Sequence, residues 1–286
     1  MLLNASGCLD ALLAPDVARS LDAFVTKTVT PLPRDGNAPA RIAETDVGML
    51  NSIGLANPGI DRFLTRHLPQ LEKLGLPIWV SVGGFETNDY AELCSRLDDH
   101  AAVSAIELNV SCPNVDAPAE SASQIVAAAR LATRKPLWAK LSPAVPDIGE
   151  VARAAQAAGA DGLSLVNTIR GLKLDAQTLQ PVLAPGQGGL SGPALKPIAL
   201  AAVATCYRAT RMPIVGMGGI RTGLDALEFV AAGAQHIAIG TTLFADPDAP
   251  ARIRAELHAL ASERGWSAYE DAYGAAHDDA LSLRTT

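Results

Sequence analysis

Short apolar runs alternate with amphipathic segments rich in alanine and leucine along nearly the whole chain. The amphipathic segments include residues 147–158 and 224–232, and each is followed by a glycine, which suits the C-terminal end of a helix. Eight apolar runs have the length and composition of buried strands, and they lie at residues 2–5, 23–29, 78–82, 105–110, 137–141, 162–166, 213–217 and 236–239. This order is typical of βα units that build a parallel sheet. Eight such strands favour an α/β fold of the closed (β/α)8 TIM-barrel type over the alternative, an open doubly wound sheet.

Two connections in this pattern are too long for ordinary barrel loops. They are residues 31–57, after the second predicted strand, and residues 167–192, after the sixth. Both follow the C-terminal ends of strands, where barrels place their active sites. We interpret them as long insertions that form the lid and wall of a site at the C-terminal face. No linker or low-complexity tract divides the chain, so we expect residues 1–286 to form a single domain.

Charge and composition exclude several classes of function. A formal net charge of -7 argues against binding to nucleic acid or to an anionic membrane surface, since both require a basic surface. No apolar stretch approaches the roughly 20 residues of a membrane-spanning helix, and no signal peptide is evident, so we expect a cytoplasmic protein. The four cysteines lack metal-ligand spacing, which predicts no metal site. Small-molecule chemistry fits these properties best.

Glycine clusters late in the chain indicate a phosphate site. Gly218 and Gly219 follow the seventh predicted strand, and Gly240 and Thr241 follow the eighth. Barrels commonly bind phosphate with the loops after these two strands, because glycine lets backbone N–H groups converge on an anion. A tight turn explains one cluster alone equally well, but two clusters at both expected strand ends favour phosphate. Arg221 stands where a dinucleotide fingerprint requires its third glycine, so FMN fits better than a dinucleotide.

Polar residues follow several of the other predicted strands. Lys140 ends an apolar strand and is costly to bury without an anionic partner. A reduced flavin is one candidate for that partner; a nearby carboxylate, or snorkelling of the lysine to solvent, is the alternative. Side-chain amides can recognise the edge of a planar, imide-bearing substrate, although any one of them could also be a turn residue. These amides belong to Asn51, Asn109, Asn114 and Asn167.

Residues 109–114 place a thiol, that of Cys112, between two side-chain amides directly after a predicted strand. A thiol in such a position can act as a general base when its surroundings favour the thiolate. The alternative is a small buried hydrophobic residue, the usual fate of an unpaired cysteine. We apply that alternative to Cys8, Cys94 and Cys206, and we predict that Cys112 is the catalytic base.

In their order along the chain, these motifs resemble those of class 1 dihydroorotate dehydrogenases, and the resemblance covers almost the full length. The motifs that carry it are Asn4–Gly7, Thr26–Thr28, Asn51–Leu55, Asn109–Asn114, Lys140–Pro143, Val166–Thr168, Gly188–Pro193, Gly216–Ile220 and Ile239–Thr241. The resemblance implies an FMN-dependent barrel that oxidises dihydroorotate to orotate in pyrimidine synthesis. It implies that Cys112 removes a proton from C5 while a hydride passes from C6 to the flavin N5.

The resemblance also assigns binding roles to single positions. For the substrate it implies Lys27, Asn51, Ser52, Ile53, Gly54, Leu55, Asn109, Asn114, Asn167 and Thr168. For FMN it implies Ala5, Ser6, Lys27, Thr28, Asn109, Lys140, Val166, Gly192, Gly218, Gly219, Gly240 and Thr241.

Within class 1, most motifs look like the catalytic subunit of the NAD-linked subtype, which works with a separate iron–sulfur and FAD electron-transfer subunit. The motif at residues 4–7 looks more like the fumarate-using homodimers, so both electron acceptors stay open. The chain has no cysteine cluster for iron–sulfur binding, so such a cluster would come with a partner. The resemblance further implies a homodimeric core.

Two other functions stay open at this point. A dihydropyrimidine dehydrogenase-like flavoprotein acting on uracil or thymine would share the barrel and the cysteine loop. A barrel that binds FMN or a pyrimidine without turnover is the non-enzymatic alternative, since residues 115–119 are shorter and more acidic than in the family. Lys27 and Asn51 favour an acidic substrate over the uracil type.

Overall fold

The computed structural model describes residues 1–110 and 118–277, and two sheets account for its strands. In chain order the strands are Leu2–Asn4 (β1), Phe24–Val25 (β2), Ile42–Thr45 (β3), Gly48–Asn51 (β4), Ile78–Val82 (β5), Val103–Asn109 (β6), Leu137–Leu141 (β7), Gly162–Leu165 (β8), Ile169–Leu172 (β9), Gln187–Ser191 (β10), Ile214–Met217 (β11) and His236–Ile239 (β12).

The larger sheet is a parallel barrel. Its strand order is β1-β12-β11-β8-β7-β6-β5-β2, and a parallel bridge between Leu3 and Ala23 brings β1 beside β2. Each of the eight strands overlaps one of the eight predicted runs, so the predicted TIM-barrel class is confirmed. The second strand is much shorter than predicted, covering only Phe24–Val25, because the chain leaves the ladder at Thr26 and returns only as a bridge from Val29 to Val82.

Helices surround this barrel and pack their apolar faces on its outer side. The α-helices are Pro15–Arg19 (α1), Gly59–Arg62 (α2), Leu68–Leu71 (α3), Thr87–Asp98 (α4), Pro118–Ala132 (α5), Ile148–Ala157 (α6), Lys196–Thr210 (α7), Gly223–Ala231 (α8), Thr242–Ala245 (α9) and Ala249–Glu263 (α10). A π-helical turn, Phe63–His67, joins α2 to α3, and short 3₁₀ turns occur at Glu72–Leu74, Pro193–Leu195, Tyr269–Ala272 and Ala275–His277.

Local signals explain where the helices begin. The Asp147 carboxylate accepts hydrogen bonds from the backbone N–H groups of Gly149 and Glu150 at the start of α6. Thr222 and Asp225 form a reciprocal capping box at the start of α8. Within residues 1–110 and 118–277, we find no helix with the length and apolar character needed to cross a lipid bilayer.

The two long insertions pair with each other above the barrel. Residues 31–57 form the hairpin β3–β4 and residues 167–192 form the hairpin β9–β10, and together they make a four-stranded antiparallel sheet in the order β3-β4-β10-β9. The pair that joins the insertions is β4 with β10, in which Asn51 lies opposite Gly189. The insertions therefore form one wall at the C-terminal face rather than two separate loops.

The barrel interior changes from apolar to polar along its axis. At the bottom, the rings of Trp79 and Trp138 lie with their centroids 4.7 Å apart among small aliphatic residues. One step toward the C-terminal ends, Ser81, Glu107 and Lys140 are buried in the interior. The polar layer therefore lies directly below the face that the two hairpins cover.

Candidate functional site

A cavity of about 670 Å³ opens at the C-terminal ends of the barrel strands, beneath the wall of the two hairpins. The loops after β1, β2, β8, β11 and β12, the strands β6 and β7, and the hairpin sheet contribute to its lining. Every described residue that the sequence predicts for the substrate or for FMN lies on this cavity: Ala5, Ser6, Lys27, Thr28, Asn51, Ser52, Ile53, Gly54, Leu55, Asn109, Lys140, Val166, Asn167, Thr168, Gly192, Gly218, Gly219, Gly240 and Thr241. Cys112 and Asn114 lie outside the described residues.

One end of the cavity is a glycine-rich cradle built by the loops after β10, β11 and β12. Gly218 and Gly219 adopt φ values of +122° and +78°, which side chains rarely allow. A Cβ atom on Gly219 would lie 2.9 Å from the Gly192 carbonyl oxygen and 3.0 Å from the Lys196 backbone nitrogen. The backbone is therefore packed too closely here for any larger residue, and this arrangement suits an anion held by main-chain N–H groups.

Hydroxyl groups form the side of the cavity next to β1 and β2. The Ser6 hydroxyl donates to the Thr26 carbonyl oxygen at 2.8 Å, and it lies 3.4 Å from the Thr28 hydroxyl. The Thr28 hydroxyl lies 3.1 Å from that of Ser81, which is fully buried on β5. This chain of hydroxyls explains why strand β2 ends early: residues 26–28 direct their polar groups inward instead of extending the ladder.

Two lysines supply positive charge to the cavity. Lys27 follows β2, and Lys140 lies on β7 with its side chain 9% exposed. Burial lowers the pKa of Lys27, and the charge of Lys140 lowers it further. The Lys140 ammonium lies 3.7 Å from the Glu107 carboxylate on β6, so the carboxylate partner that the sequence left as an alternative is present. Sequence reasoning missed Glu107 because it looks like an ordinary strand residue.

Side-chain amides face the cavity from the opposite side. The Asn167 amide donates to the Asn109 side-chain oxygen at 3.0 Å, and the Asn167 side-chain oxygen accepts from the Thr168 backbone N–H at 2.9 Å. The Asn51 amide donates to the Gly189 carbonyl oxygen at 3.3 Å. The Tyr90 hydroxyl donates to the Asn109 carbonyl oxygen at 2.8 Å and so fixes the end of β6. These bonds orient three of the four predicted amides.

Residues 52–55 form a tight turn that another side chain holds in place. The Asn37 amide donates to the Ser52 carbonyl oxygen at 3.1 Å and to its hydroxyl at 2.9 Å. Gly54 and Leu55 both have positive φ, at +72° and +56°. Because Leu55 is not a glycine, its left-handed conformation is a costly one and marks this turn as constrained.

Several cavity residues were not predicted. They are Gly7, Cys8, Asn37, Ile42, Met49, Ser191, Leu195, Met217, Ile220 and Phe244. Gly7 and Ser191 could have been predicted from the sequence, because they lie inside motifs that carry the family resemblance. The prediction that Cys8 is a buried core residue was incomplete: it packs against the barrel interior but also lines the cavity, and burial raises the pKa of its thiol. Cys94 and Cys206 are fully buried in helices, as predicted.

The described cavity residues offer cations, amides and hydroxyls rather than metal ligands. Among residues 1–110 and 118–277, no group of three histidine, cysteine, aspartate or glutamate side chains could hold a metal ion. Lys27 and Lys140 are the charged side chains among the described lining residues, and both are cationic. This arrangement is suited to an anionic organic ligand together with a phosphate in the glycine cradle.

Residues 1–260 match the family described as "Dihydroorotate dehydrogenase". Similar curated proteins are named "Dihydroorotate dehydrogenase B (NAD(+)), catalytic subunit". The one from Desulforudis audaxviator is 44% identical over 265 residues, which cover 90% of this chain and 86% of that protein. The one from Listeria welshimeri is 44% identical over 258 residues, which cover 88% of this chain and 85% of that protein.

Solved structures confirm the fold. A crystal structure of DHODH from Eimeria tenella in complex with ferulenol superposes with a TM-score of 0.80 at 24% identity, covering 96% of this chain and 85% of that one. A ligand-free structure of the Eimeria tenella protein superposes with a TM-score of 0.80 at 23% identity. The resemblance to the class 1, NAD-linked catalytic subunits that the motifs predicted is confirmed by the curated relatives.

Proposed function

The chain belongs to the dihydroorotate dehydrogenase family, and we propose that it oxidises dihydroorotate to orotate for pyrimidine synthesis with FMN as the hydride acceptor. The observation that carries the proposal is the 44% identity, over 90% of the chain, to a protein named as the catalytic subunit of such an enzyme. The chain is thus an oxidoreductase of the type that acts on CH–CH bonds. The family is flavin-dependent, and the choice of FMN is our own inference.

The glycine cradle supports FMN as the flavin. Its phosphate would be held by the loops after β11 and β12, at Gly218, Gly219, Gly240 and Thr241, with Gly192 beside them. A Cβ atom on Gly219 would meet backbone atoms of the neighbouring segment, so glycine is required for backbone to surround an anion there. Lys140, Ala5, Ser6, Thr28 and Val166 would line the ring. When bound, FMN supplies the acceptor for a hydride, which carries two electrons.

Dihydroorotate fits the remaining polar groups. It carries a carboxylate and an imide edge, and the cavity offers the Lys27 ammonium together with the amides of Asn51, Asn109 and Asn167. The backbone of residues 52–55 would close over the substrate, with Thr168 on the opposite side. Uracil and thymine lack the carboxylate, so Lys27 would have no anionic partner on them.

We assign the proton transfer to Cys112. Its thiolate would remove the proton from C5 of dihydroorotate, and Asn114 would bind the substrate. Both residues lie outside the described part of the chain, so these assignments depend on the motif at residues 109–114 alone. Asn109, the last residue of β6, is described and lines the cavity, which brings the start of this motif to the site.

We further propose a homodimeric, cytoplasmic enzyme that passes electrons to NAD through a separate iron–sulfur and FAD subunit. The name "catalytic subunit" of the relatives supports such a partner. The sequence of this chain adds the argument that none of its four cysteines are spaced as an iron–sulfur site.

An anaerobic half-reaction tests the proposal. The purified chain, loaded with FMN, is mixed with dihydroorotate and, separately, with dihydrouracil, and the absorbance of the oxidised flavin is followed. We expect rapid bleaching with dihydroorotate alone. Preferential bleaching with dihydrouracil would favour the dihydropyrimidine alternative, and bleaching with neither would favour a non-catalytic barrel and overturn the proposal.

A pair of cysteine variants tests the base. Cys112→Ala is expected to slow the bleaching by at least 100-fold, within the range of about 10²–10⁴ that general base catalysis contributes. Cys94→Ala is the matched control, because Cys94 is a buried thiol of α4 that does not line the cavity. Equal rates for Cys112→Ala and the parent protein would remove Cys112 from the mechanism.

A further inference from the structure

Glu107 is a buried carboxylate inside the barrel, one layer below the cavity. It is 1% exposed, and its Oε1 atom has no hydrogen-bond partner among the described residues. A buried carboxylate is costly to keep ionised unless a cation compensates it. The Lys140 ammonium, 3.7 Å from that oxygen, is such a cation.

Register explains why these two side chains meet. Asn109 lies opposite Lys140 in the pairing of β6 with β7, and Glu107 precedes Asn109 by two residues on the same face of β6. The Asn109 and Lys140 side chains line the cavity, while Glu107 lies below them and does not. The carboxylate is therefore positioned to act on Lys140 from beneath, without contacting a ligand itself.

Besides Glu107, two other titratable groups act on the region around Lys140. Among the described residues, these are Lys27 from the loop after β2 and Cys8 from the loop after β1, and Ser164 is the neighbour of Lys140 on β8. Lys27 is a second cation, and the buried Cys8 thiol supplies no charge while protonated. Glu107 therefore supplies the negative charge that compensates the buried Lys140 side chain.

We propose that Glu107 is a positioning residue that compensates the charge of Lys140 and fixes its side chain at the floor of the cavity, beneath the flavin ring. The inference builds on the proposed function, because it takes the ligand above Lys140 to be FMN. A positive charge at this place stabilises the reduced, anionic flavin. Loss of Glu107 should therefore displace the Lys140 ammonium and weaken that stabilisation.

The flavin midpoint potential tests this in the FMN-loaded protein. It is measured at pH 7 against a reference dye with a chemical reductant, so dihydroorotate is not involved. In Glu107→Gln we expect a lower potential than in the parent protein, because Lys140 is no longer held in place; a higher potential, as from the simple removal of a negative charge, would contradict this role. The expected fall is at least tenfold in the reduction equilibrium, or about 30 mV for a two-electron couple.

Two further variants separate this role from a merely structural one. Ser164→Ala removes a neighbouring buried polar group without changing charge, and its midpoint potential should match that of the parent protein. In a Lys140→Met background, Glu107→Gln should have no further effect on the potential, because the group through which it acts is absent. An unchanged potential for Glu107→Gln, or an equal effect in the Lys140→Met background, would overturn the proposal.

Thermal unfolding of the flavin-free protein keeps the proposal testable if a single variant is too unstable to load. Breaking a buried ion pair is strongly destabilising, so Glu107→Gln and Lys140→Met should each lower the melting temperature by roughly 10 °C. The double variant should recover much of that loss. Additive losses in the double variant would show that the two groups are not coupled. Failure to bind FMN at all would instead count against the proposed function.

Discussion

Replacing Gly219 with alanine is the sharpest test of the glycine cradle. Its φ of +78° costs an alanine about 1–2 kcal/mol. The new Cβ would also lie 2.9 Å from the Gly192 carbonyl oxygen and from the Lys196 Cβ, and 3.0 Å from the Lys196 nitrogen. Since two of these atoms belong to the backbone, relief requires the segment leading into α7 to move, at about 1–3 kcal/mol. The expected loss of unfolding free energy is therefore about 2–5 kcal/mol.

Gly75→Ala provides the matched control. Gly75 has a φ of +72°, but a Cβ atom there would meet nothing within 4 Å, so only the backbone cost of about 1–2 kcal/mol applies. Urea unfolding measures the loss of unfolding free energy in both variants, and the difference between the two losses is the cost of the close packing around Gly219. Titration of the flavin-free proteins with FMN should show at least tenfold weaker binding for Gly219→Ala alone. Equal unfolding free energies, with unchanged FMN affinity, would refute the close-packed cradle.

Two other predictions concern the cavity and the helix layer. In Gly240→Ala the new Cβ would be 3.7 Å from the Ala5 Cβ and 3.8 Å from the Cys8 Sγ, which are ordinary contact distances. We therefore expect normal stability but weaker FMN binding, measured by fluorescence titration. Unchanged FMN binding would contradict the placement of the phosphate. The hydrogen bonds from Thr133 and from the Arg134 backbone lower the pKa of Asp98 to about 2. A carboxyl whose pKa is lowered by folding stabilises the protein above its unfolded pKa, and this contribution is lost as pH falls from about 4 to about 2. Asp98→Asn should therefore have a lower unfolding free energy than the parent protein at pH 6, measured by urea unfolding, and nearly the same one at pH 2.5. A difference in unfolding free energy that stays constant between these pH values would contradict this.

The barrel could be predicted because each of its strands carries a local signal. Aliphatic runs such as residues 78–82 and 137–141 coincide with observed strands to the residue. The second strand did not, since Lys27 and Thr28 line the cavity and the Thr26 hydroxyl accepts a hydrogen bond from the Ser81 backbone N–H. Local propensity is the same in both cases, and only the tertiary environment separates them.

The wall of the site could not be predicted in detail. The sequence indicates that residues 31–57 and 167–192 are long insertions, but the pairing of β4 with β10 joins segments more than a hundred residues apart. No local sequence pattern indicates that β4 pairs with β10. Asn37 and Ile42 were therefore not predicted, although the insertion that contains them was interpreted as part of the site.

The chemistry of the site follows from the two-residue period of the barrel strands. On β6, Ala105, Glu107 and Asn109 share the inward face, and the strand runs from a small apolar residue through a buried charge to a cavity amide. On β7, Trp138 and Lys140 repeat the same change of polarity, so the carboxylate and the ammonium arise at neighbouring levels of adjacent strands. A shift of one residue in either strand would direct one of these charges into the apolar helix layer, where it would lack a counter-ion.

The ion pair therefore ties the register of β6 and β7 to the charge of the cavity floor, so a variant that removes both charges should loosen this register while it restores stability. Hydrogen exchange of the β6 and β7 backbone amides would detect that loosening, and unchanged protection would show that apolar packing alone fixes the register.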